Sequence, residues 1–417
     1  MPDTPTPPPS ADAIRGALAG VVDPELGEDI VSLGMVRDIA VSQAGQVTVS
    51  VALTVAACPL RSQIEGDVTR RVASLPGVSA VQLSIGAMDA DERSALMARA
   101  RWKAKENAAP TAVHPSTRAL AIASGKGGVG KSSVTVNLAA ALALRGLKVG
   151  ILDADIWGFS VPRMLGLEAR LEAKAGKMIP LRLPVGAHGG RIDVVSMGFL
   201  SGEDEAVMWR GLMLNRAVQH FLEDVDWGEL DYLLIDMPPG TGDVQMGLAR
   251  MLPRADMIIV TTPALAAQKV ASRAADMARR GYLRVAGVIE NMSAFECDHG
   301  VSYPLFGSGG GQRLADEIGA PLLAQIPLDP AVAAGGDAGR PAVLASVASA
   351  PRPTEPSPAP ASASTPGEQS RDTVLAAFIA LAERIVTEVA PAVELAGCTA
   401  RMLDHIETAL GSAGPTN

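Results

Sequence analysis

The strongest chemical signal in this sequence is a run of nine residues that is rich in glycine and holds two lysines. Its spacing fits the pattern G-x-x-x-x-G-K-[ST], in which backbone N–H groups surround the phosphates of a nucleotide and a helix begins at the same anion. We expect Lys131 to reach the β and γ phosphates and the Ser132 hydroxyl to bind Mg²⁺. The alternative is a plain glycine-rich turn. The pattern predicts binding of a nucleoside triphosphate. The nine residues are Gly125, Lys126, Gly127, Gly128, Val129, Gly130, Lys131, Ser132 and Ser133.

Lys126 is unusual because it directly follows the first glycine of this loop. From that position a lysine cannot easily fold back onto the phosphates of its own loop. It could instead reach a nucleotide that is bound by another subunit, and the alternative is a solvated surface lysine. We therefore take Lys126 and Lys131 together as candidate catalytic residues.

Two carboxylates follow the predicted strand Lys148–Leu152, and a third follows Tyr232–Ile235. Asp155 would lie near the γ phosphate and orient the attacking water, so we favour it as the third catalytic residue. Asp153 could equally cap the following turn. Asp236 stands at the end of a buried strand, where it would hold Mg²⁺ through water, although an aspartate before two prolines could merely start a turn.

Two further segments are candidates for nucleotide contacts. The run Gly240–Asp243 offers flexible backbone N–H groups that could sense the γ phosphate. Asn291 follows the apolar run Val285–Ile289, and its side-chain amide has the donor and the acceptor that suit the edge of adenine. For Asn291 a plain turn at the end of the strand is the alternative.

The elements that must position these residues form a repeated strand-then-helix pattern from Arg118 onward. Several strands are short, continuous apolar runs, as expected of parallel strands that helices cover on both faces. Ligands of such sheets bind at the carboxyl ends of the strands, where the candidate residues lie. The predicted fold class is α/β with a mostly parallel sheet. The predicted strands are Leu120–Ala123, Lys148–Leu152, Ile192–Ser196, Tyr232–Ile235, Met257–Val260, Val285–Ile289 and Leu322–Ile326.

A small α/β domain is predicted at residues 11–88, after a Pro-rich tail at residues 1–10. Residues 89–117 are predicted to be a linker that contains an exposed helix, Asp91–Ala104. The predicted elements of the small domain are a helix at Ala11–Val21, strands at Val36–Val41 and Val47–Leu53, a helix at Leu60–Leu75 and a strand at Val78–Ile85.

The larger, nucleotide-binding domain is predicted at residues 118–341. Residues 342–370 are rich in Pro, Ser and Ala, which predicts a disordered insertion. The pattern of Thr373–Val389 predicts an amphipathic helix that packs back on the sheet, so residues 371–390 complete the domain. Residues 391–417 are expected to form an extra helical tail.

Bulk composition narrows the function classes. The chain has 417 residues and a net charge of −9, which gives no sign of a nucleic-acid-binding surface. No apolar run approaches the length of a membrane helix, and the N-terminus lacks the pattern of a signal peptide. The three cysteines are an odd number, which argues against a disulfide framework. We therefore expect a cytoplasmic protein with free thiols and with neither nucleic acid nor membrane as a partner.

The motifs together resemble the Mrp/ApbC iron–sulfur cluster carriers, a group of P-loop ATPases in the MinD/ParA class. The resemblance covers about residues 118–341. The N-terminal unit resembles the small domain of iron–sulfur assembly factors at Val22–Leu26, at Ser32–Val36 and at Leu53–Thr54 with Cys58–Pro59. The resemblance implies a homodimer that hydrolyses ATP, holds a labile [4Fe–4S] cluster at its interface and passes that cluster to apo-proteins. The matching segments include Ser124–Ser133, Asp153–Asp155, Ile235–Asp243, Glu290–Ser293, Phe306–Gly311, Ile326–Pro330 and Gly336–Pro341.

The sequence departs from this family at the metal site. The family carries a Cys-x-x-Cys pair before the Phe-Gly-x-Gly-Gly-Gly segment, whereas this chain has Cys297 followed by His299 and Gly300. His299 could complete a mixed Cys₂His₂ site across a dimer, or Cys297 alone could hold a cluster weakly with thiols from outside. In the third interpretation cluster binding has been lost. Cys58, before a predicted helix, is either a further metal ligand or a small buried residue.

Two other functions remain open at this point. One is a positioning ATPase of the MinD/ParA kind, whose dimer would bind a membrane or DNA. The predicted C-terminal helices carry few basic residues, which disfavours both surfaces. The other is an ATP-binding scaffold that holds no cluster. The missing second cysteine keeps this last function open beside the carrier, which the motifs favour.

Overall fold

The computed structural model describes residues 7–23, 28–54, 61–106, 110–155, 158–168, 171–199, 211–240, 243–281, 283–297, 299–348 and 366–391. Its contacts divide the chain into two compact units, Met1–Asn107 and Ala108–Asn417. Cys58, Asp298, Cys398 and the predicted tail beyond residue 391 lie outside the described residues. Among the described residues, no helix is long and apolar enough to cross a membrane.

The first unit is a three-stranded sheet that helices cover. The order of its strands is β1-β2-β3, with β1 and β2 antiparallel and β2 and β3 parallel. Alternate residues of β2 are buried, including Val47, Val49 and Val51, because successive side chains of a strand point to opposite faces. The elements are α1 (Ala11–Leu18), β1 (Val36–Val41), β2 (Gln46–Leu53), α2 (Arg61–Ala73), β3 (Ala80–Ala87) and α3 (Ala90–Glu106).

The helix expected at Asp91–Ala104 is present, and most of its described side chains are exposed, but one narrow face is buried. The helix exists as α3, but Leu96 and Ala100 are buried at 1% and 2% exposure. These two residues are four apart, so they lie on the same face of the helix, and that narrow apolar face packs against the protein.

The second unit is built on a nine-stranded sheet. The order is β13-β12-β11-β4-β10-β5-β9-β8, and β14 pairs with β12. All pairings are parallel except those of β8 with β9 and of β13 with β12. The prediction of a mostly parallel sheet is therefore confirmed. The nine strands are β4 (Arg118–Ser124), β5 (Lys148–Asp153), β8 (Leu181–Val185), β9 (Gly190–Ser196), β10 (Tyr232–Asp236), β11 (Asp256–Thr261), β12 (Arg284–Glu296), β13 (Ser302–Tyr303) and β14 (Leu322–Leu328). Two further strands, β6 (Glu172–Lys174) and β7 (Lys177–Ile179), form a separate two-stranded antiparallel sheet.

Helices cover both faces of this sheet. Neighbouring residues of β4 belong to different apolar clusters: Leu120 packs with α4 and α12, whereas Ala121 packs with α6 and α8. Both faces are therefore buried, as a parallel sheet requires. The helices are α4 (Lys131–Leu144), α5 (Val161–Met164), α6 (Gly211–Glu223), α7 (Asp243–Met251), α8 (Leu265–Arg280), α9 (Gly310–Ile318), α10 (Pro330–Asp337), α11 (Ala342–Ala348) and α12 (Pro366–Arg384), with a 3₁₀ turn at Met197–Phe199 and a π-helical turn at Ile385–Val389.

Two boundaries differ from the sequence prediction. The predicted disordered insertion is helical at both ends, as α11 and as the first residues of α12. Val343 of α11 is fully buried, and its backbone N–H donates to Asn137 Oδ1 of α4 at 3.1 Å, so tertiary packing orders a segment whose composition predicts disorder. Residues 349–365 lie outside the described residues. Strand β12 continues to Glu296, well beyond the predicted end at Ile289.

Candidate nucleotide site

The phosphate loop connects β4 to α4 and requires glycine at particular positions. Gly128 and Gly130 have φ values of +78° and +79°, a region that other residues rarely adopt. A Cβ on Gly125 would come within 2.3 Å of the backbone of α8, so that helix packs too closely for any side chain. A Cβ on Gly127 or Gly128 would meet no atom within 4 Å. The loop therefore has a packed side against α8 and an open side.

Three side chains of α4 contact the carboxylate of Asp236. Lys131 Nζ lies 2.7 Å from Asp236 Oδ1, and Thr135 Oγ1 donates to the same oxygen at 2.9 Å. Ser132 Oγ donates to Asp236 Oδ2 at 2.5 Å. The predicted lysine, serine and aspartate thus meet, because α4 starts at the end of β4 and β10 pairs with β4. Thr135 was missed, although its position four residues after Lys131 places both on one face of the helix.

Asp153 lies beside Asp236 in the sheet and is fully buried. Its carboxylate accepts hydrogen bonds from Ser196 Oγ at 3.0 Å and from the backbone N–H groups of Asp155 and Val161 at 3.2 and 3.4 Å. Asp153 therefore caps the turn after β5, which is the role that the sequence analysis gives for it. Burial, with the neighbouring charge of Asp236, raises the pKa of Asp153 to about 8, while Lys131 acts in the opposite direction.

Asp155, the residue that we favour for orienting water, is also buried, at 8% exposure. The hydrogen bond from its backbone N–H to Asp153 Oδ1 fixes its backbone. A Cβ added to Gly158 would lie 3.6 Å from Asp155 Oδ2. Asp155 follows β5 by two residues, so it lies at the same edge of the sheet as the phosphate loop. Its catalytic role stays a prediction.

The amide of Asn291 contacts the phosphate loop itself. Its Nδ2 donates to the carbonyl of Val129 at 2.9 Å, and the residue is 7% exposed. A Cβ on Gly130 would come within 2.2 Å of the same nitrogen, which gives Gly130 a second reason to be glycine. One donor of Asn291 is therefore engaged with the loop. The expected contact with adenine stays a prediction.

Gly240 links the segment after β10 to the phosphate loop. Its N–H donates to the carbonyl of Ser124 at 2.9 Å, and its own carbonyl accepts from Gln245 Nε2 at 2.6 Å. Thr241 and Gly242 lie outside the described residues. Gln245 was missed by sequence reasoning, because nothing in its spacing marks it as a partner of Gly240.

Lys126 is exposed, in contrast to the buried Lys131. Its carbonyl accepts a hydrogen bond from Ser124 Oγ at 3.1 Å, so its backbone is fixed while its side chain is accessible. This placement agrees both with a contact to a second subunit and with a solvated lysine. The contact to a second subunit stays a prediction.

Cys297 lies in the turn of the hairpin that joins β12 to β13. Its N–H donates to the carbonyl of Val301 at 3.0 Å, and the N–H of Gly300 donates to its carbonyl at 2.8 Å. Cys297 Sγ lies 3.9 Å from His299 Nδ1. The structure thus brings the two candidate ligands together. Among the described residues, however, no group of three or more His, Cys, Asp and Glu side chains is placed to hold a metal ion.

The donors around Asp236 fit Mg²⁺ and a nucleotide. A carboxylate and two hydroxyls are the hard oxygen ligands that Mg²⁺ prefers, and Lys131 supplies the positive charge that phosphates require. The open side of the loop leaves room in front of Gly127 and Gly128. With the parallel sheet, these features define a P-loop NTPase.

Comparison with known proteins gives the family. Residues 116–354 match the ParA family model of the NUBPL iron-transfer P-loop NTPases, and residues 11–83 match the model of an iron–sulfur cluster assembly protein. The chain belongs to the NUBPL iron-transfer P-loop NTPase family.

Relatives match along most of their length. The iron–sulfur cluster carrier protein of Mycobacterium tuberculosis is 49% identical over 345 residues, covering 81% of this chain and 89% of that protein. The protein of the same name from Deinococcus radiodurans is 47% identical over 337 residues, covering 80% and 89%. A solved nucleotide-binding protein in complex with ADP, from Archaeoglobus fulgidus, is 36% identical and covers 58% of this chain and 91% of its own, with a TM-score of 0.46.

Proposed function

We propose that this protein is an iron–sulfur cluster carrier that binds and hydrolyses ATP, acts as a homodimer and passes clusters to apo-proteins. The observation that carries the ATPase part is the convergence of Lys131, Ser132 and Thr135 on Asp236 at the open phosphate loop. Family membership and the names of the relatives support the carrier part. A cytoplasmic location stays a prediction from the cysteine content.

The described contacts suggest how the site would work on ATP. Lys131 exchanges Asp236 for the β and γ phosphates, and the N–H groups of Gly127 and Gly128 donate to them from the open side of the loop. Asp236 and the Ser132 hydroxyl would hold Mg²⁺, which neutralises charge on the phosphate oxygens when bound. Asp155 orients the attacking water. The reaction then needs positioning and charge neutralisation rather than a covalent intermediate.

The cluster would be held by the hairpin of Cys297. Two subunits supply two thiolates, and the nearness of His299 Nδ1 to Cys297 Sγ supports a mixed site of two cysteines and two histidines. Iron–sulfur centres accept imidazole ligands, which shift the spectrum and the potential of the centre. The [4Fe–4S] type is proposed from the family resemblance alone.

Anaerobic reconstitution tests the carrier part. Iron and sulfide are measured, with the optical spectrum, in wild type, Cys297→Ala and His299→Ala; Cys398→Ala is a matched control in the C-terminal segment. We expect Cys297→Ala to lose iron and sulfide, and the spectrum of His299→Ala to change. Iron-free wild type with normal ATP turnover would instead favour the scaffold. Co-sedimentation of wild type with liposomes or DNA would favour the positioning ATPase.

A further inference from the structure

Strand β12 consists of two segments that are joined at Met292. Up to Asn291, β12 pairs with β14, and Asn291 stands opposite Ile326. The next pair is Phe295 with Leu328, so three residues of β12 stand opposite the single residue Pro327. Proline has no N–H to donate to a ladder. The interruption is a bulge, a feature that re-aims the residues beyond it.

The backbone of Met292 is in an unfavourable conformation. Its φ is +57°, in the left-handed region that favours glycine. Among the described residues, the only other non-glycine residue with a positive φ is Ala175, which lies in the short turn between β6 and β7. Met292 lies inside a strand. Such strain persists where the surroundings fix it, and it is concentrated at switches and ligand sites.

The surroundings that fix Met292 belong to the phosphate loop. Asn291 donates to the carbonyl of Val129, and the next residue along β12, Met292, lies beside the next residue of the loop, Gly130. A Cβ on Gly130 would lie 3.4 Å from Met292 Cε, so the methionine methyl group occupies the space beside this glycine. Gly130 is also the residue from which α4 begins.

The far end of the same strand carries Cys297. Beyond the bulge, Phe295 and Glu296 pair with Tyr303 and Ser302 of β13, and Cys297 follows at the turn. The segment after Met292 is therefore a short hairpin arm. The joint at Met292 is the point where this arm meets both the sheet and the phosphate loop.

We propose that Met292 is a positioning residue that couples the phosphate loop to the Cys297 hairpin. A nucleotide that engages the N–H groups of the loop shifts Val129 and Gly130. Because Asn291 is hydrogen-bonded to Val129 and Met292 lies beside Gly130, the arm beyond the bulge changes its angle, and the accessibility of the Cys297 thiol changes with it. This inference rests on the proposed binding of nucleotide at the loop.

The rate of alkylation of Cys297 tests the coupling. The reduced, cluster-free, full-length protein is treated with N-ethylmaleimide, with and without Mg²⁺ and a non-hydrolysable ATP analogue, and the modified peptide is quantified by mass spectrometry. In wild type we expect the nucleotide to change the rate at Cys297 by about fivefold or more. Cys58 and Cys398 are read in the same samples as references. Binding of a fluorescent ADP is measured in parallel for every variant.

Three substitutions separate coupling from a structural role. Met292→Gly relieves the strain and removes the side chain beside Gly130. The ratio of the alkylation rates with and without nucleotide should then fall to about one, although the variant still binds nucleotide. Met292→Leu keeps an apolar side chain against Gly130 and should keep the ratio. If Met292→Gly does not fold, Met292→Asn takes its place, because asparagine tolerates a positive φ. In Met292→Asn the ratio of the two alkylation rates should likewise fall to about one.

The outcomes distinguish this inference from the proposed function. A wild-type protein that binds nucleotide without a change at Cys297 would overturn the coupling and leave the ATPase untouched. In Met292→Gly, nucleotide could still change the alkylation rate of Cys297 by the wild-type ratio while both rates shift by the same factor. Met292 would then have a merely structural role, and the coupling would again be overturned. A wild-type protein that binds no nucleotide would overturn the proposed function itself.

Discussion

Lys131 and Asp236 form an ion pair, Nζ to Oδ1 at 2.7 Å, that joins the first residue of α4 to the last residue of β10. The two side chains are 6% and 0% exposed. Two buried charges compensate each other here, and the hydroxyls of Ser132 and Thr135 complete the hydrogen bonding of the carboxylate. The pair and the two hydroxyl groups therefore fix the position of Lys131 at the start of α4.

Removal of one partner of this pair should destabilise the protein. Lys131→Ala leaves the carboxylate of Asp236 buried without its counter-charge, which should lower the free energy of unfolding by about 3 kcal/mol. The double variant Lys131→Ala with Asp236→Asn should lose less than the sum of the two single variants, because the neutral amide needs no cation. Urea unfolding of the four proteins measures this. Additive losses would mean that the pair is not coupled.

The buried Asp153 should make stability depend on pH. Its pKa is raised to about 8, above the ordinary value of 3.8, so between these values the folded state holds a proton that the unfolded state releases. The free energy of unfolding of the nucleotide-free protein should therefore fall as pH rises from about 4 to about 8. In Asp153→Asn this dependence should be weaker. Urea unfolding between pH 5 and pH 8 compares the slopes, and equal slopes would show that Asp153 titrates normally.

The two glycines at the start of the loop should respond differently to alanine. In Gly125→Ala the new methyl group would collide with the backbone of α8 at Val270 and Ala271, which should cost about 1–3 kcal/mol of stability. In Gly127→Ala the methyl group meets no protein atom within 4 Å, so stability should change by no more than about 0.5 kcal/mol. Nucleotide affinity should still fall in Gly127→Ala, because the methyl group enters the open side. Equal thermal stability of both variants would contradict the packing argument.

Mixing of subunits tests the proposed role of Lys126. If each subunit gives Lys126 to its neighbour's nucleotide, Lys126→Ala and Lys131→Ala should each be inactive alone. A mixed dimer regains one complete site, because the Lys131→Ala subunit still supplies Lys126 to the intact loop of the other. Phosphate release should therefore reappear when the two proteins are mixed. An active Lys126→Ala protein, or a mixture that stays inactive, would show that the lysine acts on its own loop or not at all.

The sequence predicts those parts of the site whose signals are local. Gly125–Ser133 has a fixed spacing, and Asp236 stands where an apolar strand ends, so both could be located from the pattern alone. The parallel sheet then brings them together, since the carboxyl ends of parallel strands meet at one edge. The convergence of three side chains of α4 on Asp236 is the structural result of these two local signals.

The parts that sequence reasoning missed depend on contacts between distant segments. Nothing in the spacing of Gln245 indicates that it bonds Gly240, and nothing in that of Met292 indicates that it lies beside Gly130. The ordered helix at Ala342–Ala348 was missed because its composition resembles that of the Pro-rich stretch after it. The burial of its apolar side chains against α4 outweighs the composition.

The rate of ATP hydrolysis by wild type and Lys131→Ala tests the central claim most directly. Wild type should hydrolyse ATP in the presence of Mg²⁺, and Lys131→Ala should be slower by at least about 100-fold, because it lacks the charge that meets the phosphates. Lys269→Ala, which removes an exposed lysine of α8, should match wild type. Equal rates in wild type and Lys131→Ala would contradict the assignment of this site as an ATPase.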